Sequence, residues 1–201
     1  MGERSAGEFA TWLDTFYTDF SERINALSAP LLSSYADAVL PVAQQEIGSE
    51  LDLEAQMQAF LNGADGYRDT FVRRHIRHSR GSLVAAVTDA EDPKAAAEEV
   101  LEDWQTARPE RLRLHESVRA ESAFARNVFV LCGIVKIRWV AYGKSCPYCM
   151  ALDGKVVGIE EPFLTPGEFQ PEGAERPLTV TSIRRHPPAH GGCDCGVEAS
   201  I

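Results

Sequence analysis

The sequence predicts an α+β protein, with an all-helical N-terminal region (residues 1–133) followed by a small zinc-stapled β-hairpin module (residues 134–201). Through roughly the first 130 positions apolar residues recur at spacings of three and four, which is typical of amphipathic helices. After Gly133 they alternate at every second position, which indicates a strand. The last third of the chain also contains a cluster of cysteines and a histidine whose spacing is typical of a metal site.

The helical region reads as a series of five or six helices. Pro30 is placed to start the second helix, and Pro41 is expected to kink or end it. Asn62-Gly63 predicts the end of a third helix. The first helix is expected to begin with a capping box, Ser5 with Glu8, and to carry an apolar stripe made of Phe9, Leu13, Phe16, Phe20, Ile24 and Leu27.

The remaining helices are marked by start and stop signals. A fourth is expected over residues 67–78, and Asp92-Pro93 predicts the N-cap and first turn of a helix that runs to Trp104. Pro109 is placed to open a longer helix over residues 110–131, with Gly133 placed to terminate it.

The β module is predicted from alternation and turn signals. Val135, Ile137, Trp139 and Ala141 alternate with mostly polar neighbours, which predicts a half-buried strand leading into the first cysteine pair. Asp153-Gly154 predicts a tight hairpin between Leu152 and residues 155–157. Residues 158–177, with four of the eleven prolines, are expected to form an exposed loop, and residues 178–183 a last strand.

Five residues are candidate metal ligands. Cys146 and Cys149 form one half-site, and His190, Cys193 and Cys195 form the other about forty residues later. A Cys-x-x-Cys pair followed by a second group of thiols and imidazole is the spacing of a structural zinc site. Because so small a β region buries little apolar surface, zinc is expected to hold it together.

The spacing alone does not determine which four of the five candidates bind the metal. Residues two apart in an extended chain point to opposite sides, so joint use of Cys193 and Cys195 needs a turn. We therefore expect Cys146, Cys149, His190 and Cys193 to bind the metal, with Cys195 as the main substitute.

Charge and hydropathy restrict the function classes. Residues 1–118 carry 11 Lys/Arg and 21 Asp/Glu, whereas residues 119–201 carry 9 of each, and this acidity argues against broad non-specific DNA binding. The basic run at residues 73–80 is expected to be a solvated helix face, and an acidic partner or nucleic acid is the alternative. We expect no membrane segment and no secretion signal, and therefore a reducing cytosol during synthesis, where paired cysteines tend to bind metal.

Two enzymatic hypotheses, a thiol-disulfide oxidoreductase and a catalytic zinc site, are disfavoured. Cys-Pro-Tyr-Cys also occurs in glutaredoxins, where the first cysteine begins a helix, but Asp153-Gly154 is expected to break such a helix and the surrounding strand order is absent. A catalytic zinc site would need an open position and a nearby base. His186 and Asp194 are the nearest candidates for that base, and we interpret them as a surface loop residue and a solvated spacer.

From about residue 115 to 197 the order of motifs resembles the phage Mu F-like head morphogenesis family. Asp194 departs from the family, in which arginine often separates the last two cysteines. The positions that carry the resemblance are Arg119, Glu121, Asn127, Trp139, Cys146, Cys149, Leu152, Asp153, Gly154, Lys155, Val156, Phe163, His190, Cys193 and Cys195.

The resemblance implies a structural minor capsid protein of a tailed bacteriophage, without enzymatic activity, acting near the portal in head assembly, genome packaging or release. Expected partners are the portal and/or the major capsid protein, with packaged DNA second and no membrane, and the expected location is the virion or prohead interior after synthesis in the host cytoplasm. Trp139 is expected to pack over the metal turn, and Glu121 and Asn127 to fix the long helix or to cap backbone groups. The alternatives are a cytosolic zinc-ribbon interaction module and a glutaredoxin-like thiol-disulfide oxidoreductase.

Overall fold

The computed structural model describes residues 6–88, 90–143 and 146–201, with side chains described from residue 11 onward. A helical N-terminal region is followed by small antiparallel sheets, as the sequence predicts. The proposed capping box of Ser5 and Glu8 lies outside the described residues and side chains. The helices are α1 (Ala6–Ile47), α2 (Glu54–Val87), α3 (Pro93–Thr106), α4 (Arg108–Leu131) and α5 (Pro147–Leu152).

Two helices are longer than the sequence predicts. The helix α1 continues through Pro30 and Pro41, and α2 continues through Asn62-Gly63. The predicted start at Pro30 and the predicted end at Asn62-Gly63 are therefore wrong, and Pro41 does not end the helix. Packing of a buried face can override local stop signals, because most helical stability in proteins comes from tertiary contacts. The described part of the N-terminal region therefore holds four helices rather than five or six.

The buried face of α1 also differs from the predicted stripe. Leu13 is buried as expected, but Tyr17 is buried beside it, whereas Phe16 and Leu27 are exposed. The later start signals are confirmed at α3, where the Asp92 side chain accepts hydrogen bonds from the backbone N–H groups of Lys94 and Ala95. Gly133 follows α4 with a positive φ of 77°, the conformation expected at a helix C-terminus.

The chain divides into two compact units. Unit 1 consists of Met1–Leu32 and Asp65–Arg108, and unit 2 of Ser33–Ala64 and Pro109–Ile201. The boundary expected after residue 133 follows the change in secondary structure, whereas unit 2 groups α4 with the β strands. The core of unit 1 is formed by Leu13, Tyr17 and Leu83, with Phe20, Ile76, Val87, Ala97, Val100 and Trp104 packed against them.

Unit 2 contains both sheets. Its strands are β1 (Lys136–Val140), β2 (Val156–Gly158), β3 (Gly167–Phe169), β4 (Leu178–Val180) and β5 (Gly196–Ala199). One sheet has the strand order β2-β1-β5 and the other pairs β3 with β4, all antiparallel. In β1, Ile137 and Trp139 are buried as the alternation predicts, whereas Val135 before it is exposed.

One helical stretch, Thr11–Ile47, is long and apolar enough to cross a membrane, with a mean hydropathy of 1.2 over its most apolar window. Scattered charges and two prolines interrupt this stretch, so it is not a continuous apolar run, and the expectation that the chain has no membrane segment stays a prediction. A single helix of this kind carries little weight, since core helices of soluble proteins also pass the length and composition test.

Candidate metal centre

The first cysteine pair lies at the start of a short helix. Cys146 occupies the N-cap of α5, with an extended backbone, and Cys149 lies in the first turn and is buried. Asp153-Gly154 ends the helix as predicted, because α5 stops at Leu152 after six residues, although a short helix does begin after Cys146. Pro147 at the first helical position favours this start, since its fixed φ suits a helix.

Asp153 and Gly154 form a turn of a different kind from the predicted hairpin. Lys155 N–H donates to the Leu152 carbonyl at 2.9 Å, and the φ of Gly154 is 74°. With Asp153 at φ −56° and ψ 130°, these are the angles of a type II turn. The turn joins α5 to β2, and β2 pairs with β1 instead of with Leu152.

The second group of candidate ligands leads directly into β5. That strand pairs with β1, with Gly196 opposite Val140 and Val197 opposite Trp139. Cys195 immediately precedes β5, and Cys146 follows six residues after the end of β1. Pairing of the two strands therefore brings the two half-sites to the same end of the sheet.

The five candidate ligands lie together as two overlapping groups that share Cys149. One group is Cys146, Cys149 and His190, the other is Cys149, Cys193 and Cys195, and within each group the ligand atoms all lie within 4.8 Å of one another. His190 Nε2 is 3.0 Å from Cys146 Sγ and 3.2 Å from Cys149 Sγ. The Sγ atoms of Cys149 and Cys193 are 3.8 Å apart.

These distances fit a tetrahedral metal ion. With Zn–S bonds of about 2.3 Å and tetrahedral angles, two bound sulfurs lie about 3.8 Å apart, which matches Cys149 and Cys193. The sulfur to nitrogen distances around His190 are shorter than the roughly 3.5 Å of such a site, so a bound ion would move the imidazole outward by a fraction of an ångström.

A backbone hydrogen bond orients the His190 ring. Its Nδ1–H donates to the Gly191 carbonyl at 2.7 Å, because a carbonyl can only accept. The proton is thereby held on Nδ1, and the Nε2 lone pair faces the thiols of Cys146 and Cys149. Metal-binding histidines are commonly oriented by a hydrogen bond of this type.

Cys193 and Cys195 both contribute to the cluster, contrary to the geometric argument for choosing one. Both thiols are buried with Cys149. Residues 193–195 do not belong to a strand, because β5 begins only at Gly196. The alternation of side chains in an extended chain therefore does not apply to Cys193 and Cys195. Asp194 between them is exposed and lies over Gly143, where an added Cβ would meet its carboxylate, which fits the role of a solvated spacer.

Contact between the thiols separates their pKa values. Hydrogen bonding with Cys193 and then Cys195 raises the pKa of Cys149, and the same contacts with Cys149 and Cys195 lower the pKa of Cys193 to about 2. The pKa of Cys195 is raised to about 12, because contact with Cys193 and burial outweigh the lowering effect of Cys149. The three thiols therefore cannot all ionise independently, and a divalent cation would neutralise their thiolates while displacing the protons.

Trp139 lies beside the cluster, fully buried and in edge-to-face contact with Phe163 at 5.2 Å between ring centroids. Its indole Nε1 has no hydrogen-bond partner among the described residues. The indole nevertheless lowers the pKa of the Cys195 thiol. Lys155 supports the same region, because its Nζ donates to the Phe163 carbonyl at 2.7 Å.

Other singled-out residues lie outside the cluster. His186 donates from Nδ1 to the Pro187 carbonyl at 2.6 Å, and burial, with further effects of nearby arginines, lowers its pKa to about 4. Asn127 does not reach the metal centre and instead donates to the Phe60 carbonyl on α2 at 3.3 Å. Glu121 lies on α4 beside a cavity in unit 2.

The connection between α4 and the β module comes from Arg126, which the sequence did not single out. Its Nε and one terminal nitrogen both donate to the Ile159 carbonyl. The fifth cysteine, Cys132, is not part of either ligand group. An arginine among apolar neighbours near the end of a buried helix is a weak signal that could have identified Arg126.

Comparisons of this chain with protein family models, with curated protein sequences and with solved structures give no match.

Proposed function

We propose that this chain is a non-enzymatic head assembly protein of a tailed bacteriophage, in which one zinc ion holds the C-terminal β module in shape. The observation that carries the metal part is the meeting of Cys146, Cys149, His190, Cys193 and Cys195 in one cluster. The assembly part rests on the order of motifs around these ligands, which resembles the Mu F-like family.

Zinc is the metal that fits this donor set best. Thiolates and imidazole in a tetrahedral arrangement favour zinc, whereas calcium and magnesium prefer oxygen ligands. When bound, the ion would supply a crosslink between α5 and the segment before β5, two parts of the chain about forty residues apart.

We infer Cys146, Cys149, His190 and Cys193 as the ligands, because short contacts link these four atoms in series. Cys195 then lies outside the coordination sphere, where Trp139 lowers the pKa of its thiol, and it is the substitute ligand if one of the four is lost. Cobalt substitution tests this set, since the intensity of the sulfur-to-cobalt charge-transfer bands counts the bound thiolates. Three thiolates support the set, and four contradict it.

A structural site is favoured over a catalytic one. Catalytic zinc sites keep one position open for water or substrate, whereas here five donors compete for four positions. His186 lies outside both ligand groups, and Asp194 is an exposed spacer, so neither is placed as a general base at the metal.

In this head assembly role, the helical region contacts the portal and/or the major capsid protein inside the virion or prohead. Its negative charge argues against extensive DNA binding, so packaged DNA remains the secondary partner. Within the basic run, Arg80 forms an ion pair with Asp14 at 2.8 Å, and His75 and Ser79 are buried, so only part of this run faces solvent.

Mass spectrometry of purified phage particles tests the assembly role. We expect this chain to co-purify with heads through density-gradient centrifugation, at a fixed ratio to the portal protein. A serine variant of Cys149 should be depleted from particles, whereas a serine variant of Cys132 should be retained. Recovery of the chain only in the soluble host fraction would contradict the assembly role and favour a cytosolic zinc module.

A thiol-disulfide oxidoreductase is a second candidate because Cys146 occupies the N-cap of α5, where a helix dipole can stabilise a thiolate. The surrounding donors oppose it, since His190 Nε2 lies 3.0 Å from Cys146 Sγ and both belong with Cys149 to one group of candidate metal ligands. Alkylation kinetics distinguish the two, because a redox thiol reacts at once and a metal-bound thiolate reacts only after zinc is stripped.

A further inference from the structure

A cavity of about 690 Å³ lies within unit 2, between the C-terminal half of α1, the middle of α4, the segment after β1, and β5. Every residue that lines it belongs to unit 2. Two tyrosines, three carboxylates, one serine and one glutamine supply its polar side chains, and the other lining residues are small or apolar. The polar lining residues that matter here are Tyr35, Glu46, Glu121, Ser122, Tyr142 and Glu198.

The negative charge of the cavity is not balanced by any basic side chain in the described part of its lining. Among the described residues that line it there is no lysine, arginine or histidine. Glu121, Glu198 and Glu46 all raise the pKa of the Tyr142 hydroxyl after burial itself, which places the three carboxylates around the same group. Burial and then Glu198 also raise the pKa of Glu46, although Glu46 accepts a hydrogen bond from Ala199 N–H at 2.6 Å.

Ser122 gives an independent indication of a ligand. Its side chain is only 2% exposed, and within the described structure Oγ has no hydrogen-bond partner. A serine inside a helix ordinarily bonds to the carbonyl four residues earlier, so an unpartnered hydroxyl in a cavity wall is unusual. A buried hydroxyl without a partner destabilises the fold, and a ligand N–H would provide that partner.

We propose that this cavity binds an organic cation, namely an alkylammonium or guanidinium group. The three carboxylates supply opposite charge, Ser122 supplies a hydrogen-bond acceptor, and the Tyr35 and Tyr142 rings supply faces for a cation–π contact. The apolar residues of α1 would contact an aliphatic stem. A metal ion is disfavoured, because among the described residues the close ligand groups are the cysteine and histidine sets alone.

The same chemistry has two sources, a lysine or arginine side chain of a partner protein and a free polyamine. Calorimetric titration of the zinc-loaded full chain at about 0.15 M salt, where long-range attraction is screened, distinguishes them. The probes are spermidine, a short peptide with one lysine, and the same peptide with norleucine in place of the lysine. Tighter binding of spermidine assigns a polyamine site, and tighter binding of the lysine peptide assigns a partner protein.

Matched variants test whether the cavity is the binding site. Glu121→Gln should weaken binding of the lysine peptide or spermidine about tenfold or more, because a charge-assisted contact is lost. Glu198→Gln serves the same purpose and covers the case in which the first variant folds poorly. Glu175→Gln removes the same charge from an exposed loop of unit 2 and should change affinity less than about twofold.

Three results would overturn the proposal. The first is the absence of binding by both cationic probes at millimolar concentration. The second is an equal loss of affinity in the Glu175 variant and the two cavity variants. The third is equal affinity for the lysine and norleucine peptides in the case where the lysine peptide binds more tightly than spermidine. The cavity does not involve the candidate metal ligands, so failure here leaves the proposed zinc staple and assembly role intact.

Discussion

Cys149 is the residue on which the two halves of the metal centre meet. Its sulfur lies 3.2 Å from His190 Nε2 and 3.8 Å from Cys193 Sγ, and it is the member common to both ligand groups. Removing it would therefore disrupt any four-ligand set that uses both cysteines of the first half-site.

A series of cysteine to serine variants should separate ligands from bystanders. We expect Cys149→Ser to lower the free energy of unfolding by more than about 3 kcal/mol, because loss of a structural metal is among the most destabilising changes. Cys195→Ser should cost less than Cys193→Ser, and Cys132→Ser should change stability by less than about 1 kcal/mol. Chemical denaturation with zinc present measures each, and equal costs for Cys132 and Cys149 would contradict the site.

The lowered pKa of His186 predicts that the stability of the fold depends on pH through a group outside the candidate metal centre. Its folded pKa is lowered to about 4, so between that pH and its ordinary pKa of about 6.5 the unfolded chain binds a proton that the folded chain does not. Stability contributed by the neutral ring is thus present above pH 6.5 and lost as pH falls. Relative to wild type, His186→Asn should gain up to about 1 kcal/mol per pH unit below pH 6.5.

The comparison for His186 is made between wild type and variant at each pH with zinc in excess, so that loss of metal in acid affects both. Asn keeps a donor for the Pro187 carbonyl and removes the titrating ring. A difference that stays constant from pH 7.5 to pH 5 would show that the folded pKa of His186 is close to its ordinary value.

The identity of the clustered residues was easier to predict from the sequence than their contacts. Spacing and donor type identified all five members of the cluster, because thiol and imidazole groups have few other uses in such a pattern. Hydrogen-bond partners were not accessible, since the Nδ1 contact of His190 and the Trp139 contact with Cys195 depend on backbone positions that no local motif determines.

At the scale of elements, Arg126 joins α4 to the segment after β2. Two of its guanidinium nitrogens donate to the Ile159 carbonyl, and it also forms an ion pair with Glu160 at 3.0 Å. The Glu160 side chain is 74% exposed, so solvent weakens that pair. The backbone contact is therefore the stronger connection.

Arg126→Met tests this connection by keeping the aliphatic stem while removing both donors. We expect a loss of about 1 to 3 kcal/mol in unfolding free energy, because the Ile159 carbonyl loses its charged partner. Glu160→Gln is the matched control and should cost less than about 0.5 kcal/mol. If the two variants cost the same by urea denaturation, the ion pair would be the main contribution instead.

Gly63 and Asn127 form the contact that allows α2 to pass close to α4. A Cβ at Gly63 would collide with the Asn127 side-chain amide, which donates to the Phe60 carbonyl. Alanine should stabilise an exposed helix position by about 1 kcal/mol relative to glycine, so the steric cost opposes a gain in helix propensity.

A double-mutant cycle separates these two effects. Gly63→Ala alone should destabilise the chain by about 1 kcal/mol, because the Asn127 hydrogen bond is displaced. In an Asn127→Ala background the same change should be neutral or stabilising, since the obstructing amide is gone. Additive costs in the two backgrounds would contradict the contact.

The same contact explains why helix boundaries were poorly predicted. Asn62-Gly63 is a stop signal when considered locally, but glycine is needed here for a close approach between helices. Pro30 and Pro41 similarly lie within α1, where the buried positions Ala36, Val39 and Ala43 favour continuation. The strand β1 was predicted well, because its alternation reports burial directly.

At the scale of the whole molecule, the zinc proposal makes the C-terminal part of the chain dependent on an ion. The β strands are three to five residues long, and the sheets have three and two strands, which is little for independent stability. Such a region is expected to loosen when the crosslink between α5 and the segment before β5 is removed. The helices α1 to α3 do not contain candidate ligands and should persist.

The predicted boundary after residue 133 and the two compact units divide the chain on different grounds. Sequence patterns report where the periodicity changes, whereas the units depend on which helices pack together. The inclusion of α4 in unit 2 follows from contacts such as Arg126 with Ile159 and Asn127 with Phe60, which lie 33 and 67 residues apart in sequence.

Elemental analysis of the chain, purified without added metal or chelator, tests the zinc staple most directly. We expect about one zinc per chain, and we expect chelation to lower Tm and increase hydrogen exchange in residues 134–201 while helical circular dichroism is largely retained. A preparation that contains well under about 0.1 zinc per chain, with the same Tm before and after chelation, would contradict the staple.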